Sequence, residues 1–223
     1  AATPISGTRL GNGGNVTGVT FNAQRTVYWS QVAGGNWTDN AWASSSGGSP
    51  STTYFPLPQD IAVIDNTGLN TSATITVTNG QGLLPSVNSS TRTNAATFTY
   101  TGTWYFSGSL YIGSGVTFAK NILMFGEGTV YLKNDLVTNV TSSFTGYSST
   151  ATYELLSNII GTSFGGISFG LLKLSSYKLS MSDFTMGVSA YYGSITAGSI
   201  NFGSGTLELS ASMSTGTYYG VNT

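Results

Sequence analysis

The chain contains no histidine and no cysteine, and only 7% of its 223 residues carry a charge. Soluble proteins carry about 25% charged residues on average. Without imidazole or thiolate groups, the sequence excludes Cys/His zinc sites, disulfide frameworks and Ser-His-Asp or Cys-His catalytic centres. Seven basic and eight acidic residues give a net charge of −1. That balance excludes a protein that neutralises a run of phosphates, so we expect no nucleic-acid partner.

Long apolar runs are also missing from the sequence. No stretch of about 18 consecutive apolar residues, the length that crosses a bilayer as a helix, occurs anywhere in it. A basic segment followed by an apolar run, the mark of a signal peptide, is absent as well. We therefore expect no insertion into a membrane.

Glycine, serine and threonine are abundant instead, with 30, 32 and 33 residues, and aromatic residues reach 13%. The hydrophobic share of 39% separates the chain from disordered sequences, which lack the apolar residues needed for a core. Strong helix formers are scarce, whereas turn-forming and β-branched residues are frequent. The composition predicts an all-β domain with a sizeable core and many turns.

Short stretches of alternating apolar and polar residues predict individual strands. The clearest are Ala73–Thr78, Thr103–Phe106, Leu110–Ile112, Thr129–Leu132 and Thr206–Leu209. A weak helical pattern covers Tyr153–Ile160, for which a strand or a short surface turn is an equal alternative.

A short motif recurs in the second part of the chain. Residues 125–132 (FGEGTVYL) match residues 202–209 (FGSGTLEL), and residues 106–112 form a weaker copy. Phenylalanines also recur every 18 to 20 residues, at Phe106, Phe125, Phe144, Phe164, Phe184 and Phe202. Such periods are typical of repeat proteins, in which coils of short strands stack because one coil cannot bury its apolar face alone.

These repeats predict a right-handed β-solenoid (β-helix) with an aromatic-rich cap at its N-terminus. In this prediction, residues 1–68 form the cap or attachment segment and residues 69–223 form the repeats. The low charge fits stacking, since like charges would repel each other from coil to coil. An antiparallel β-sandwich or jelly roll is the alternative, because it also combines short strands with polar turns.

Several consecutive segments resemble the opening of Gly-rich repetitive proteins of phages and bacterial surfaces. These segments are Tyr28–Trp29, Gly34–Trp42, Ser45–Gly48 and Pro58–Asp65. The later segment Ile195–Thr206 is similar to a repeating portion of the same proteins. The resemblance implies a β-helical fibre, spike or adhesin component on a virion, outside the cell or at a cell surface. It implies no catalytic residues, and we expect no cofactor.

From this resemblance we expect a structural virion protein, a segment of a phage tail fibre, spike or similar appendage, rather than an enzyme. We expect it to form a homo-oligomer, with a homotrimer favoured, and to contact other virion proteins and host-surface glycans. One alternative is a secreted bacterial adhesin or filament subunit. Another is a polysaccharide-degrading enzyme, which needs paired carboxylates. Its candidate acids are Asp39, Asp60, Asp65, Glu127 and Asp135.

Aromatic residues are the main candidates for contact with a carbohydrate or a protein partner. One group comprises Trp29, Trp37 and Trp42, which could stack on sugar rings or form a buried hydrophobic plug. A second group comprises two pairs of adjacent tyrosines. Adjacent side chains in a strand point to opposite faces, so one tyrosine of each pair would point outward. These pairs are Tyr191 with Tyr192 and Tyr218 with Tyr219. Tyrosine is enriched at interfaces, so we expect partner contacts there.

Acidic residues offer a weak candidate for a cation site. Asp60 and Asp65, joined by Asp39, could supply carboxylate oxygens to Ca²⁺. Their spacing matches no EF-hand loop. The favoured alternative is that each carboxylate binds the backbone of a turn or strand end, and no metal is expected.

Overall fold

A computed structural model provides the three-dimensional structure of the chain. It describes residues 5–6, 10–12, 17–78, 83–100, 104–118, 122–124, 128–134, 144–157, 159–161, 167–173, 178–181, 195–201, 203–204 and 206–209. These ranges contain twenty β-strands and one 3-10 helix. None of their helical structure is long and apolar enough to cross a bilayer.

The strands are short and are numbered here in chain order. They are β1 (Ile5–Ser6), β2 (Val19–Thr20), β3 (Thr26–Trp29), β4 (Gly35–Asn36), β5 (Trp42–Ala43), β6 (Ile61–Val63), β7 (Ala73–Val77), β8 (Ser86–Asn88), β9 (Ala96–Tyr100), β10 (Trp104–Phe106), β11 (Leu110–Ile112), β12 (Val116–Phe118), β13 (Ile122–Met124), β14 (Thr129–Asn134), β15 (Phe144–Leu155), β16 (Ile159–Gly161), β17 (Ile167–Lys173), β18 (Lys178–Met181), β19 (Ile195–Asn201) and β20 (Thr206–Leu209). The 3-10 helix spans Thr52–Tyr54.

The strands form four sheets. The largest has eleven strands in the order β10-β13-β15-β14-β11-β8-β6-β3-β5, and β17 and β19 continue from β15. A four-stranded sheet has the order β12-β9-β7-β4, a three-stranded sheet has the order β16-β18-β20, and β1 pairs with β2. Among the described pairs, β5 alone runs antiparallel to its neighbour, β3. The pairing is therefore predominantly parallel and joins residues distant in sequence.

A column of aliphatic residues runs across five neighbouring strands of the largest sheet. Its members lie directly opposite one another in the order Ala62, Val87, Leu110, Leu132 and Leu155. None is more than 6% exposed. Each fully buried Val or Leu contributes about 1.5–3 kcal/mol relative to an exposed one. This column belongs to the hydrophobic core of the described structure.

The predicted β-solenoid with an N-terminal cap is contradicted by the arrangement of the sheets. The described strands divide among four sheets of two, eleven, four and three strands rather than following one repeating coil. The largest sheet also branches, because the twelve-residue strand β15 pairs with β13, β14 and β17. The sandwich alternative does not fit either, since its strands would pair mainly antiparallel.

The described members of the repeats that motivated that prediction do not align in the register of the sheets. Phe106 lies opposite Met124 and Phe144 lies opposite Ile122, so neither faces a neighbour in the predicted phenylalanine ladder. The other ladder members lie outside the described residues. Instead, Phe98 lies opposite Phe118, two residues that the ladder omits. The two best motif copies also separate, because β14 belongs to the eleven-stranded sheet and β20 to the three-stranded one. Register follows the alternation of buried residues in each strand rather than the recurrence of phenylalanine.

The individual strands agree much better with prediction. Leu110–Ile112 and Thr206–Leu209 are confirmed at both ends, and the other three predicted strands are confirmed to within two residues. The segment Tyr153–Ile160 contains the end of β15 and the start of β16, so its strand alternative is correct. The division at residue 68 stays a prediction, and strands from both sides of it pair with each other.

Candidate functional site

The three predicted tryptophans form one buried cluster at the β3–β5 edge of the largest sheet. The ring centroids of Trp29 and Trp42 are 5.2 Å apart, and those of Trp37 and Trp42 are 4.7 Å apart, both in edge-to-face geometry. The indole of Trp29 donates to the carbonyl of Gln31 at 2.8 Å, and that of Trp42 donates to the carbonyl of Trp37 at 2.9 Å. None of the rings is more than 1% exposed. Their faces are therefore closed to a sugar, and the structure agrees with the hydrophobic-plug alternative.

A small pocket lies against this tryptophan cluster. Its volume is about 290 Å³, and its walls are Thr38, Asp39, Asn40, Trp42, Ser51, Thr52 and Phe55. One wall is the turn that joins β4 to β5, and the other is the 3-10 helix with its flanking residues. The backbone N–H of Ser51 donates to the carbonyl of Trp42 at 2.9 Å, which holds the two walls together. We call this feature the turn pocket.

The turn wall of the pocket is organised around Asp39. Its carboxylate accepts hydrogen bonds from the backbone N–H of Asn36 at 2.7 Å and from the side-chain amide of Asn36 at 3.4 Å. Gly35 adopts a φ of 146°, and a Cβ there would lie 2.5 Å from the Asp39 carboxylate. Thr38 and Asn40 are exposed, and their side chains form no hydrogen bond to any described part of the chain. Their polar groups are therefore available to a ligand.

The opposite wall is held by Arg25 and Asp60. The Arg25 guanidinium donates to the carbonyl of Thr53 at 3.0 Å and to that of Phe55 at 3.4 Å. It also forms a 2.9 Å ion pair with the buried carboxylate of Asp60. Asp60 further accepts from the backbone N–H groups of Arg25 and Leu57, both at 2.9 Å. Both oxygens of this predicted cation ligand are thus already bound by donors, and Asp60 supports the backbone beside the pocket.

The second acidic candidate, Asp65, lies in a different region, next to Arg92. Its carboxylate accepts from the backbone N–H groups of Thr67 at 2.9 Å and Gly68 at 3.0 Å, which is the predicted turn-binding role. No cluster of three or more Asp or Glu side chains suited to a metal ion occurs among the residues that the structure describes. The predicted acids are therefore separate structural groups in the described part of the molecule.

Arg92 is a structural residue that sequence reasoning missed. It is fully buried and donates to the carbonyls of Asp65 at 2.7 Å, Thr71 at 3.2 Å and Ala95 at 3.0 Å, and also to that of Leu69. Burial lowers the pKa of Arg92 below its usual value, and the nearby charge of Asp65 opposes that shift. The sequence offered one signal for such a role, namely that basic residues are rare, with only seven in the chain.

The remaining predicted contact residues cannot be placed. Tyr191, Tyr192, Tyr218 and Tyr219 lie outside the described residues, as do the acids Glu127 and Asp135. Among the described aromatic residues, Tyr105 and Tyr131 are the most exposed, at 40% and 36%. Of the aromatic residues predicted to contact a partner, the described structure places Trp42 alone beside exposed polar groups, in the turn pocket.

Comparison with protein families, with curated proteins and with solved structures finds no match to this chain.

Proposed function

We propose that this chain is a structural component of a virion appendage, such as a segment of a phage tail fibre or spike. The observation that carries the proposal is the aliphatic column formed by Ala62, Val87, Leu110, Leu132 and Leu155 across five successive parallel strands. Each strand in this series packs its apolar side chain between those of its two neighbours, so the buried column is continuous from strand to strand. A continuous core of this kind suits a structural component.

The scarcity of charge supports the same role. In a parallel sheet with residues in register, equal charges on neighbouring strands would face each other and destabilise the stack. Next to the aliphatic column, Val63, Asn88 and Tyr111 lie opposite one another and are all uncharged. The first charged residue in this row is Lys133, on the following strand. Neutral side chains such as Asn88 and Tyr111 offer polar groups to water without repulsion between strands.

The arrangement of the acids favours a structural role over polysaccharide cleavage. A glycosidase needs two carboxylates able to reach the same glycosidic bond. Asp39, Asp60 and Asp65 instead bind backbone N–H groups of their own turns. Asp60 is also fully buried, which removes it from contact with a polymer substrate.

The test measures molar mass by size exclusion with light scattering on the 223-residue chain, followed by SDS electrophoresis without boiling and by limited proteolysis. The proposal predicts a discrete homotrimer that survives SDS and resists protease. A monomer that is digested rapidly would contradict it. A protease-resistant monomer would instead favour a single-chain adhesin of a bacterial surface.

A further inference from the structure

We propose that the turn pocket binds a single neutral sugar unit of a glycan chain. The inference deepens the proposed function, on which it rests for the presence of a glycan-bearing partner. It is carried by the composition of the two walls, which bring hydroxyl, amide and carboxylate groups together with aromatic carbon. The pocket requires no residue outside the described part of the chain.

The polar groups of the pocket match the hydrogen-bonding needs of a sugar. The hydroxyl of Thr38 can both donate and accept, the amide of Asn40 offers both kinds of atom, and the Asp39 carboxylate accepts. Sugar hydroxyls also donate and accept, so a ring in the pocket can form hydrogen bonds with all three side chains. Neighbouring hydroxyls of one ring suit the paired oxygens of a carboxylate or the O and N atoms of an amide.

The aromatic part of the pocket suits the apolar C–H face of a sugar ring. Trp42 packs edge-to-face with Trp29 and Trp37 and is only 1% exposed, so it lines the base of the pocket rather than offering an open platform. Phe55 is partly exposed and supplies apolar surface on the opposite wall. Ligand sites commonly combine such apolar walls with a few placed polar groups.

Size and charge narrow the class of ligand. The volume of about 290 Å³ lies at the lower end of the usual range of about 300–1,000 Å³ for small-molecule sites, which suits one ring rather than several. Asp39 carries the one formal charge in the pocket lining. Arg25, which contacts the backbone carbonyl of the lining residue Phe55, is paired with Asp60. An anionic sugar would meet uncompensated repulsion from Asp39. The geometry therefore favours a neutral ring.

The walls of the pocket are held in place without a ligand. Asn36 fixes Asp39, Arg25 fixes the carbonyls of Thr53 and Phe55, and Ser51 caps the 3-10 helix through a 3.3 Å hydrogen bond from the Thr53 N–H. A site formed in advance loses less conformational entropy on binding. A weak, millimolar affinity for one ring is useful in a fibre, because several copies on one assembly would add to the avidity.

The experiment is saturation-transfer difference NMR on the 223-residue chain with defined probes. The neutral probes are the methyl glycosides of glucose, galactose, mannose and N-acetylglucosamine, and the anionic probe is N-acetylneuraminic acid. The variant Asn40→Ala removes an exposed amide from the pocket. The matched control Asn70→Ala removes another exposed asparagine, which does not line the pocket. Neither side chain forms a hydrogen bond within the described structure, so both variants should fold normally.

We expect at least one neutral glycoside to show saturable transfer. Its affinity should fall about two- to tenfold in Asn40→Ala, because the variant loses roughly one hydrogen bond to the sugar. Asn70→Ala should bind as the unmodified chain does. The proposal is overturned if no neutral probe shows transfer at about 50 mM, well above a millimolar Kd. It is also overturned if Asn40→Ala leaves binding unchanged, or if N-acetylneuraminic acid binds more tightly than every neutral probe.

The same samples separate this inference from the proposed function. Molar mass and protease resistance are measured before the NMR titration. A resistant trimer that binds no neutral glycoside would contradict the sugar site alone. A protease-sensitive monomer that binds a glycoside through Asn40 would contradict the structural appendage alone.

Discussion

Trp29 lies directly opposite Trp42 in the antiparallel pair β3–β5, and the planes of the two rings meet at 87°. This contact attaches the two-residue strand β5 to the edge of the eleven-stranded sheet. An uncovered edge strand offers unpaired backbone groups to other chains. The edge-to-face pair therefore helps β5 to cover the edge of β3, and Trp42 also lines the turn pocket.

Replacing Trp42 with alanine should destabilise the protein by about 3–5 kcal/mol, the usual cost of truncating a buried Trp or Phe. The side chain is 1% exposed and contacts two other indoles, so its removal leaves a cavity at the sheet edge. Urea unfolding followed by circular dichroism, at one fixed protein concentration, measures the change. Val32→Ala is the control, because Val32 is 48% exposed and should change stability by no more than about 0.5 kcal/mol. A loss below about 1 kcal/mol for Trp42→Ala would show that the cluster does not stabilise this edge.

The strands and their partners differ in how far they could be predicted from sequence. The alternation in Leu110–Ile112 reports locally which side chains face the core, so this strand was predicted at both ends. The pairing of Leu110 with Leu132 depends on the lengths and paths of the segments that connect the strands. No local pattern encodes these. Phenylalanine recurrence was therefore a poor guide to register, since Phe98 lies opposite Phe118, whereas Phe106 lies opposite Met124 and Phe144 opposite Ile122.

Arg92→Met should destabilise the protein by about 3–5 kcal/mol, even though it replaces a buried charge with an apolar chain of similar length. The reason is that four backbone carbonyls, those of Asp65, Leu69, Thr71 and Ala95, would lose their donors. Thermal and urea unfolding of the variant measure the effect. Arg92→Lys is the matched variant and should recover only part of the loss, because one ammonium has fewer donors than the planar guanidinium. Equal stability of Arg92→Lys and the unmodified chain would show that charge alone matters here.

The long-range partners of the buried charges could not be predicted from sequence, and for a physical reason. Arg25 lies 35 residues from Asp60, and Leu69 lies 23 residues from Arg92. The turn-binding role of Asp65 was predictable because its donors, Thr67 and Gly68, follow it directly. Local contacts can be anticipated from spacing, whereas buried ion pairs and carbonyl clusters depend on the completed fold.

The ion pair between Arg25 and Asp60 should show a coupling free energy of about 1–2 kcal/mol in a double-mutant cycle built from Arg25→Met and Asp60→Asn. The expected value lies below that of a fully buried pair, since the Arg25 side chain is 34% exposed and solvent screens its charge. Urea unfolding of the two single variants and the double variant provides the four required free energies. Purely additive losses would show that Asp60 acts through the N–H groups of Arg25 and Leu57 alone.

Gly68→Ala should destabilise the protein by more than about 3 kcal/mol or prevent folding, because a Cβ at this position would overlap the backbone carbonyl oxygen of Trp29. Overlap with backbone cannot be relieved by a rotamer change, so the 65–69 turn would have to move away from β3 and expose the tryptophan cluster. Gly128→Ala is the control. Its φ is 72° and no atom lies within 4 Å of the added Cβ, so only the left-handed backbone conformation is penalised, by about 1–2 kcal/mol. Soluble yield and urea unfolding of both variants give the comparison. Equal losses in the two variants would mean that the close approach of Gly68 to Trp29 does not determine how this turn packs on the sheet.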